Sequence, residues 1–177
     1  MPRLFLGLEV PESQCQQLLS LSEPIAGLRW QCRAQLHLTM RFIGQLSEVQ
    51  AAELSLALTA LRAPLFELQL RGVGYFGSPQ RPNILWAGVV APASLQALRE
   101  QVDELIAPWC AADPQRFVPH VTLARCGPGC GPLQGFLQRH RGLMSAPWRV
   151  TELCLFASDP GPGGSRYSVL ARYPLEG

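Results

Sequence analysis

The chain repeats part of its own sequence, and this repetition limits the folds it can adopt more than any other feature. The segment Leu4–Pro11 aligns without gaps onto Leu85–Pro92, at a shift of 81 residues. The tetrapeptides His37–Met40 and His120–Leu123 follow at a shift of 83 residues, and both read His-x-Thr-x. Equivalent segments that keep their order and nearly their spacing indicate an internal duplication.

Each half of the chain reads as strand, helix, strand, helix, strand. We predict one domain, residues 1–177, with a first repeat over about 3–80 and a second over about 84–174. We expect the halves to pack about a pseudo-twofold axis, so that equivalent residues face each other. Apolar periodicity predicts the elements: strands near 4–10, 36–43, 66–76, 83–90, 120–125, 148–157 and 166–173, and helices near 12–22, 48–61, 94–106 and 132–140.

The charge of the chain is modest and unevenly placed. Fifteen arginines, no lysine and thirteen acidic residues give a net charge of +2, which excludes a protein coated in positive charge for bulk polyanion binding. Residues 1–115 carry eight arginines and ten acids (−2), whereas residues 116–177 carry seven arginines and three acids (+4). This excess favours a local anionic ligand. Exclusive use of arginine is typical of a coding bias, although arginine also makes bidentate phosphate contacts that lysine cannot.

The sequence predicts neither a membrane span nor an export signal. The uncharged stretch Ile84–Leu98 is shorter than the ~20 residues that a span needs, and the apolar run Leu4–Leu8 is too short for a signal peptide. We therefore expect a cytoplasmic protein whose six cysteines are reduced. Cys126 and Cys130 flank Gly-Pro-Gly, but no second pair lies at zinc-ligand spacing, so we predict no metal site there.

Each His-x-Thr-x tetrapeptide places its two polar residues on one face of a strand. Side chains alternate with a period of two, so His37 and Thr39 point the same way, as do His120 and Thr122. The apolar residues between them face the other side, where they can join the core. Packed about a twofold axis, the two pairs would line one cleft. The third histidine, His140, lies in an arginine-rich helix, and we interpret it as structural.

Two imidazoles that face each other suit an in-line displacement at phosphorus. The nucleophile enters on one side and the leaving oxygen departs on the other, so one group takes a proton while another gives one. Histidine ordinarily titrates near neutral pH. Thr39 and Thr122 can hydrogen-bond the non-bridging oxygens, and Arg125 can stabilise their charge. Two histidines can also ligate a metal, but no acidic residue lies in or beside the motifs and a catalytic zinc takes three protein ligands, so we predict no metal.

The motifs and their surroundings resemble the 2H phosphoesterase superfamily, and within it the bacterial RNA 2′,3′-cyclic phosphodiesterases, a group also known as LigT-like proteins or 2′-5′ RNA ligases. The resemblance covers essentially the whole chain. It is carried by Arg3–Leu8, Arg29-Trp30, His37–Gly44, Leu85–Gly88, Pro119–Arg125, Gly161–Gly164, Tyr167 and Tyr173–Leu175.

The resemblance implies an α+β fold of two lobes, with two antiparallel sheets flanking a central cleft and helices on the outside. It implies hydrolysis of RNA 2′,3′-cyclic phosphate ends to 2′-phosphomonoesters without a metal or other cofactor, and a weak, reversible 2′-5′ RNA ligation. His37 is then the proton donor, His120 the proton acceptor, and Thr39, Thr122 and Arg125 bind the phosphate. The partners implied are RNA ends or short nucleotides that carry a 2′,3′-cyclic phosphate. No membrane association is implied, and we expect a monomer.

Four further side chains are candidate substrate contacts. Trp30 and Phe76 lie near the motifs and can stack on a base, or else they are core aromatics. Arg41 is predicted to share the face of His37, where it contacts phosphate or forms a surface ion pair. Tyr167 lies near the C-terminal glycine-rich turn.

Two other functions stay open from the sequence. One is a phosphodiesterase for small cyclic-phosphate nucleotides or for 2′-5′ linkages. The modest net charge leans slightly towards such short substrates, because tracking along RNA needs many cations. The other is a non-catalytic RNA-end binding module, whose motifs bind phosphate without turnover.

Overall fold

The computed structural model describes residues 1–176, which form nine strands, four α-helices and two short 3₁₀ turns. The strands are β1 Arg3–Glu9, β2 Leu28–Trp30, β3 His37–Gln45, β4 Phe66–Ser78, β5 Arg81–Val90, β6 His120–Cys126, β7 Trp148–Val150, β8 Glu152–Gly161 and β9 Gly164–Pro174. The helices are α1 Glu12–Leu19, α2 Glu48–Ala57, α3 Ala93–Ile106 and α4 Gln134–His140.

The strands form an antiparallel sheet with a seam at its centre. The order is β7-β4-β5-β6-β3-β1-β8-β9, with β2 added against β6. At the centre, β3 and β6 are joined through the pair Leu38–Val121. Because the seam consists of one residue pair, the four strands on each side of it form one antiparallel sheet, and the two sheets meet at the seam. The predicted α+β fold is confirmed.

The order of the six central strands is symmetric. When each strand is replaced by its counterpart from the other half of the chain, the same order results, read from the other end. β1, β3 and β4 correspond to β5, β6 and β8, and the path β4-β5-β6-β3-β1-β8 maps onto itself. Leu38 and Val121, which join the halves, are equivalent residues at the shift of 83. This arrangement supports the proposed duplication, with its pseudo-twofold axis at the seam.

The strand at one end of the order, β7, and the strand next to the other end, β8, are consecutive in the chain. Val150, at the end of β7, pairs with Phe66, whereas Glu152, at the start of β8, pairs with Pro174. Only Thr151 separates the two strands, so the sheet has to curl until its ends approach. The prediction of one strand over 148–157 is therefore wrong, because these residues form two strands that lie near opposite ends of the sheet.

The helices lie near their predicted positions, and their ends differ by a few residues. At the start of α2, Oγ of Ser47 accepts a hydrogen bond from the backbone N–H of Gln50, which closes a capping box. The longest helix, α3, has fourteen residues. No helix in the described part of the chain is long and apolar enough to cross a membrane.

The hydrophobic core fills the space between the helices and one face of the sheet. Its fully buried members alternate along the strands and line one side of each helix, and they include Leu6, Leu38, Leu68, Leu85, Val121, Leu18, Leu54, Leu98 and Phe136. The opposite face of β1, β8 and β9 carries a separate group, Phe5, Phe156 and Tyr167, whose rings contact His37. The cleft lies on that opposite face.

Candidate active site

The two motifs begin adjacent central strands and face the same cleft. The pair Leu38–Val121 joins them, and both of these residues are fully buried in the core. Continued by one residue each way, this antiparallel register sets each histidine opposite the threonine of the other motif. Both pairs, together with Arg125, line one cavity of about 600 Å³. The fold thus brings together the five residues predicted for catalysis and phosphate binding: His37, Thr39, His120, Thr122 and Arg125.

Both imidazoles are held through the same ring nitrogen. Nδ1 of His37 lies 2.8 Å from the carbonyl oxygen of Gln35, and Nδ1 of His120 lies 2.7 Å from that of Val118. A carbonyl oxygen only accepts, so Nδ1 carries the proton and the neutral ring keeps its lone pair on Nε2. In His37, Nε2 lies 2.8 Å from Oγ1 of Thr39. Each histidine therefore offers Nε2 for chemistry in the cleft.

Burial keeps both histidines neutral at pH 7. It lowers the pKa of His37 from 6.5 to about 4, and the nearby charges of His120 and Arg125 act in the same direction, while the hydrogen bond to Gln35 opposes them. Burial also lowers the pKa of His120, and its hydrogen bond to Val118 partly offsets this. A bound anion reverses the charge balance, so phosphate binding favours protonation of an imidazole.

Aromatic rings pack against both catalytic candidates. The ring of Phe76 meets that of His120 edge to face, with centroids 4.8 Å apart, and Tyr167 meets His37 in the same way at 5.0 Å. Phe5 also lies against His37, at 4.8 Å. These contacts limit rotation of the imidazoles and reduce their exposure to water. Phe76 and Tyr167 line the cleft as predicted, and contact with substrate stays a prediction for both.

Arg41 does not share the face of His37, and that prediction is wrong. The register of β3 with β1 shifts by one residue at Met40, which forms a β-bulge. The bulge reverses the alternation, so Arg41 turns towards α3, is only 5% exposed, and donates from Nε to Asp103 at 3.0 Å. Phe42 takes the next place in the cleft.

Trp30 lies outside the cleft as well. Its Nε1 donates to the carbonyl oxygen of Glu23 at 3.0 Å, and its ring packs on Phe136 with centroids 5.7 Å apart. Of the two interpretations of this residue, the core aromatic is the one that fits the structure.

Sequence reasoning missed two kinds of residue at the site. Phe42 is 67% exposed at the cleft, but only the bulge places it there, and strand pairing is needed to find the bulge. Gln35 and Val118 hold the imidazoles through backbone oxygens, so their side chains carry no signal. Their equal spacing of two residues before each histidine was the available clue.

Two titratable clusters lie away from the cleft. Glu9, Glu152 and Cys154 bring three potential ligand atoms within 4.8 Å of one another, but Arg172 donates to both carboxylates, so the group is an ion-paired cluster. Nε2 of His140 lies 2.7 Å from the carboxylate of Glu23.

Comparison with known proteins agrees with the fold. The family model described as the 2′-5′ RNA ligase superfamily matches residues 19–162. The chain therefore belongs to the 2′-5′ RNA ligase superfamily.

Individual relatives match over most of the chain. The RNA 2′,3′-cyclic phosphodiesterase of Thermus thermophilus is 31% identical over 190 residues, covering 99% of this chain and 91% of that protein. The Escherichia coli protein of the same name is 29% identical over 181 residues, covering 98% and 96%. The crystal structure of E. coli LigT complexed with 3′-AMP superposes with a TM-score of 0.78 at 27% identity, covering 98% of both chains.

Other relatives are matched over a smaller share of their length. The chain spans about half of the proteins of the same name from Aeropyrum pernix and Geobacillus stearothermophilus, 52% and 48% respectively.

Proposed function

We propose that this protein hydrolyses 2′,3′-cyclic phosphate ends of RNA to 2′-phosphomonoesters, without a metal. The observation that carries the proposal is the pair of imidazoles, each with Nδ1 within hydrogen-bond distance of a backbone carbonyl oxygen, that line one cavity with Arg125. The names of the relatives and the 3′-AMP complex of LigT support a ribonucleotide substrate. A cyclic 2′,3′-phosphate requires a 2′-oxygen and therefore RNA.

In the proposed reaction, water displaces the 3′-oxygen from phosphorus. Nε2 of His120 takes a proton from water as the new P–O bond forms. The bond from phosphorus to the 3′-oxygen breaks, and Nε2 of His37 gives a proton to that oxygen. The product carries a 2′-phosphate and a free 3′-hydroxyl, and proton exchange with solvent restores the two rings. Each proton transfer contributes roughly 10²–10⁴-fold to the rate.

In the free protein both imidazoles are neutral, which suits the histidine that acts as base but not the one that acts as acid. His120 is ready to accept a proton, whereas His37, with a pKa of about 4, must first gain one. The negative charge of the bound cyclic phosphate raises that pKa, so the acid forms as substrate binds. The assignment of His37 as donor and His120 as acceptor rests on the family resemblance, because the two rings are held alike.

The remaining residues act on the phosphate. Thr39 and Thr122 donate hydroxyl hydrogen bonds to its non-bridging oxygens, and Arg125 stabilises the charge that builds on them. In ligation a 5′-hydroxyl takes the place of water: Nε2 of His120 takes its proton as the bond from phosphorus to the 5′-oxygen forms, the bond to the 3′-oxygen breaks, and Nε2 of His37 protonates that oxygen. Cleavage of the 2′-5′ linkage is the reverse of this step, with acid and base exchanged. We propose this 2′-5′ ligation as a minor activity.

A single assay tests the function. A short oligoribonucleotide that ends in a 2′,3′-cyclic phosphate is incubated with excess EDTA, and phosphorus NMR identifies the product. We expect a 2′-phosphomonoester. Turnover that requires an added divalent metal would overturn the metal-free mechanism. Retained binding without any product would favour the binding module over the enzyme.

A further inference from the structure

A second cavity, of about 400 Å³, adjoins the catalytic cleft. The two cavities share part of their walls, including Phe42, Phe76 and His120. The second cavity, which we call the side groove, is lined in part by the segment 113–118, which leads into His120. Its volume lies within the range of about 300–1,000 Å³ that small-ligand sites occupy.

The side groove carries one arginine that is free to bind an anion. Arg41 and Arg99 also line it, but they are 5% and 6% exposed and are paired with Asp103 and Asp113. Arg116 is exposed, and within residues 1–176 it has no carboxylate partner. Arg116 therefore supplies the groove with an uncompensated positive charge.

The wall that carries Arg116 is anchored to the sheet. Arg99 donates to the carbonyl oxygen of Met40 at 2.9 Å and to Asp113 at 3.4 Å, and its guanidinium lies 4.9 Å from the ring centroid of Phe117. Arg41 donates to the carbonyl oxygen of Ala111. Two buried arginines thus hold the segment on both sides of Arg116, which keeps the groove open beside His120.

An exposed aromatic ring marks the junction of the two cavities. Phe42 is 67% exposed and lines both of them. A phenyl ring exposed to this extent is uncommon, and a ring beside a cationic groove is a feature of surfaces on which nucleobases stack.

The chemistry of an RNA end links these observations. When the cyclic phosphate lies between the histidines, the RNA continues only from the 5′ side of the terminal ribose. The next negative charge along the chain is the phosphodiester that joins the last two nucleotides. The side groove adjoins the cleft at His120, and its free arginine and exposed ring offer a charge for that phosphodiester and a surface for the preceding base.

We propose that the side groove binds the nucleotide preceding the RNA end, with Arg116 on the connecting phosphodiester and Phe42 stacked on a base. This inference rests on the proposed function, and it makes the enzyme selective for RNA ends over cyclic mononucleotides. Arg116 then acts in binding and takes no part in the proton transfers.

The test compares two substrates, adenosine 2′,3′-cyclic phosphate and a diribonucleotide that ends in a 2′,3′-cyclic phosphate. For R116Q we expect kcat/KM to fall about tenfold on the diribonucleotide and to change less than about twofold on the mononucleotide, as for the loss of one charged hydrogen bond. R149Q is the matched control, because Arg149 is an exposed arginine on β7 that lines neither cavity. It should leave both values unchanged.

A neutral methylphosphonate in place of the connecting phosphodiester gives an independent readout. The wild type should lose affinity for this substrate, and R116Q should lose nothing further. Equal losses of R116Q on both substrates, or no loss on the diribonucleotide, would overturn the side-groove proposal while leaving the proposed function intact. A wild type that hydrolyses neither substrate would instead overturn the proposed function and this inference with it.

Discussion

At the scale of single residues, His37 and His120 lie in two closely similar environments. Each lies at the start of a strand, each donates from Nδ1 to a carbonyl oxygen two residues earlier, and each contacts the edge or face of an aromatic ring. Burial lowers both pKa values. A site with two such rings can hold one proton between them, as acid–base catalysis requires.

Removing either imidazole should abolish one proton transfer. We expect H37A and H120A each to lower kcat by about 10²–10⁴-fold, with binding of a 2′-nucleotide product largely retained. H140A serves as the control, because His140 lies outside the cleft on α4. Steady-state kinetics and calorimetric binding check the prediction, which a near-wild-type rate for either H37A or H120A would contradict.

The low pKa values should set the pH dependence of activity. The reaction needs one proton on the pair, and the free enzyme takes up that proton less readily as the pH rises above the ordinary histidine value of about 6.5. We therefore expect kcat/KM to be highest below pH 6.5. The maximum of kcat should lie at higher pH, since bound phosphate raises both pKa values.

Rate profiles over pH 4–9 measure both maxima, and their limbs belong to the coupled pair of histidines. Coincident maxima for kcat and kcat/KM would show that substrate binding does not shift the pKa values.

At the scale of elements, small departures from regular strands decide which side chains reach the cleft. The bulge at Met40 directs Arg41 out of the cleft, to an ion pair with Asp103, and places Phe42 in the cleft. The break at Thr151 divides one predicted strand into two, which pair near opposite ends of the sheet. Neither departure is visible in hydrophobic alternation, because both depend on which strand lies alongside.

The approach of β4 to β5 requires a residue without a side chain. Gly88 pairs with His120, and a Cβ atom there would lie 2.5 Å from the carbonyl oxygen of Arg71. We expect G88A to lower the free energy of unfolding by about 1–3 kcal/mol, as overpacking does, and to lower activity by displacing β6.

G142A is the matched control for this effect, because nothing lies within 4 Å of the position where its Cβ would be. Its stability should change by less than about 0.5 kcal/mol. Urea unfolding measures both variants. Equal midpoints for the two would mean that β4 yields to the new methyl group without cost.

At the scale of the whole molecule, His37 and His120 should lower stability in acid. His37 has a pKa of about 4 in the folded protein and about 6.5 when unfolded, so the unfolded chain binds more protons between these values. Stability falls as the pH drops from 6.5 to 4, by about 3 kcal/mol from this residue alone. His120 acts in the same direction.

The variant H37Q isolates this contribution. Between pH 7 and pH 4 the wild type should lose about 3 kcal/mol more stability than H37Q, as measured by urea unfolding at each pH. Parallel curves for the two proteins would show that the folded protein does not lower the pKa of His37.

The sequence by itself determined the repeated pattern, the α+β class, most of the elements and the face that carries both His-x-Thr pairs. These follow from local periodicity and from identity between distant segments, which a linear sequence contains. It also identified the family. Tertiary structure alone decided which aromatic and cationic side chains surround the histidines. Arg41 and Trp30 lie outside the cleft, whereas Phe42 and the backbone oxygens of Gln35 and Val118 belong to the site. The physical reason is that a bulge, a seam of one residue pair and the curl of the sheet all depend on which strands lie side by side.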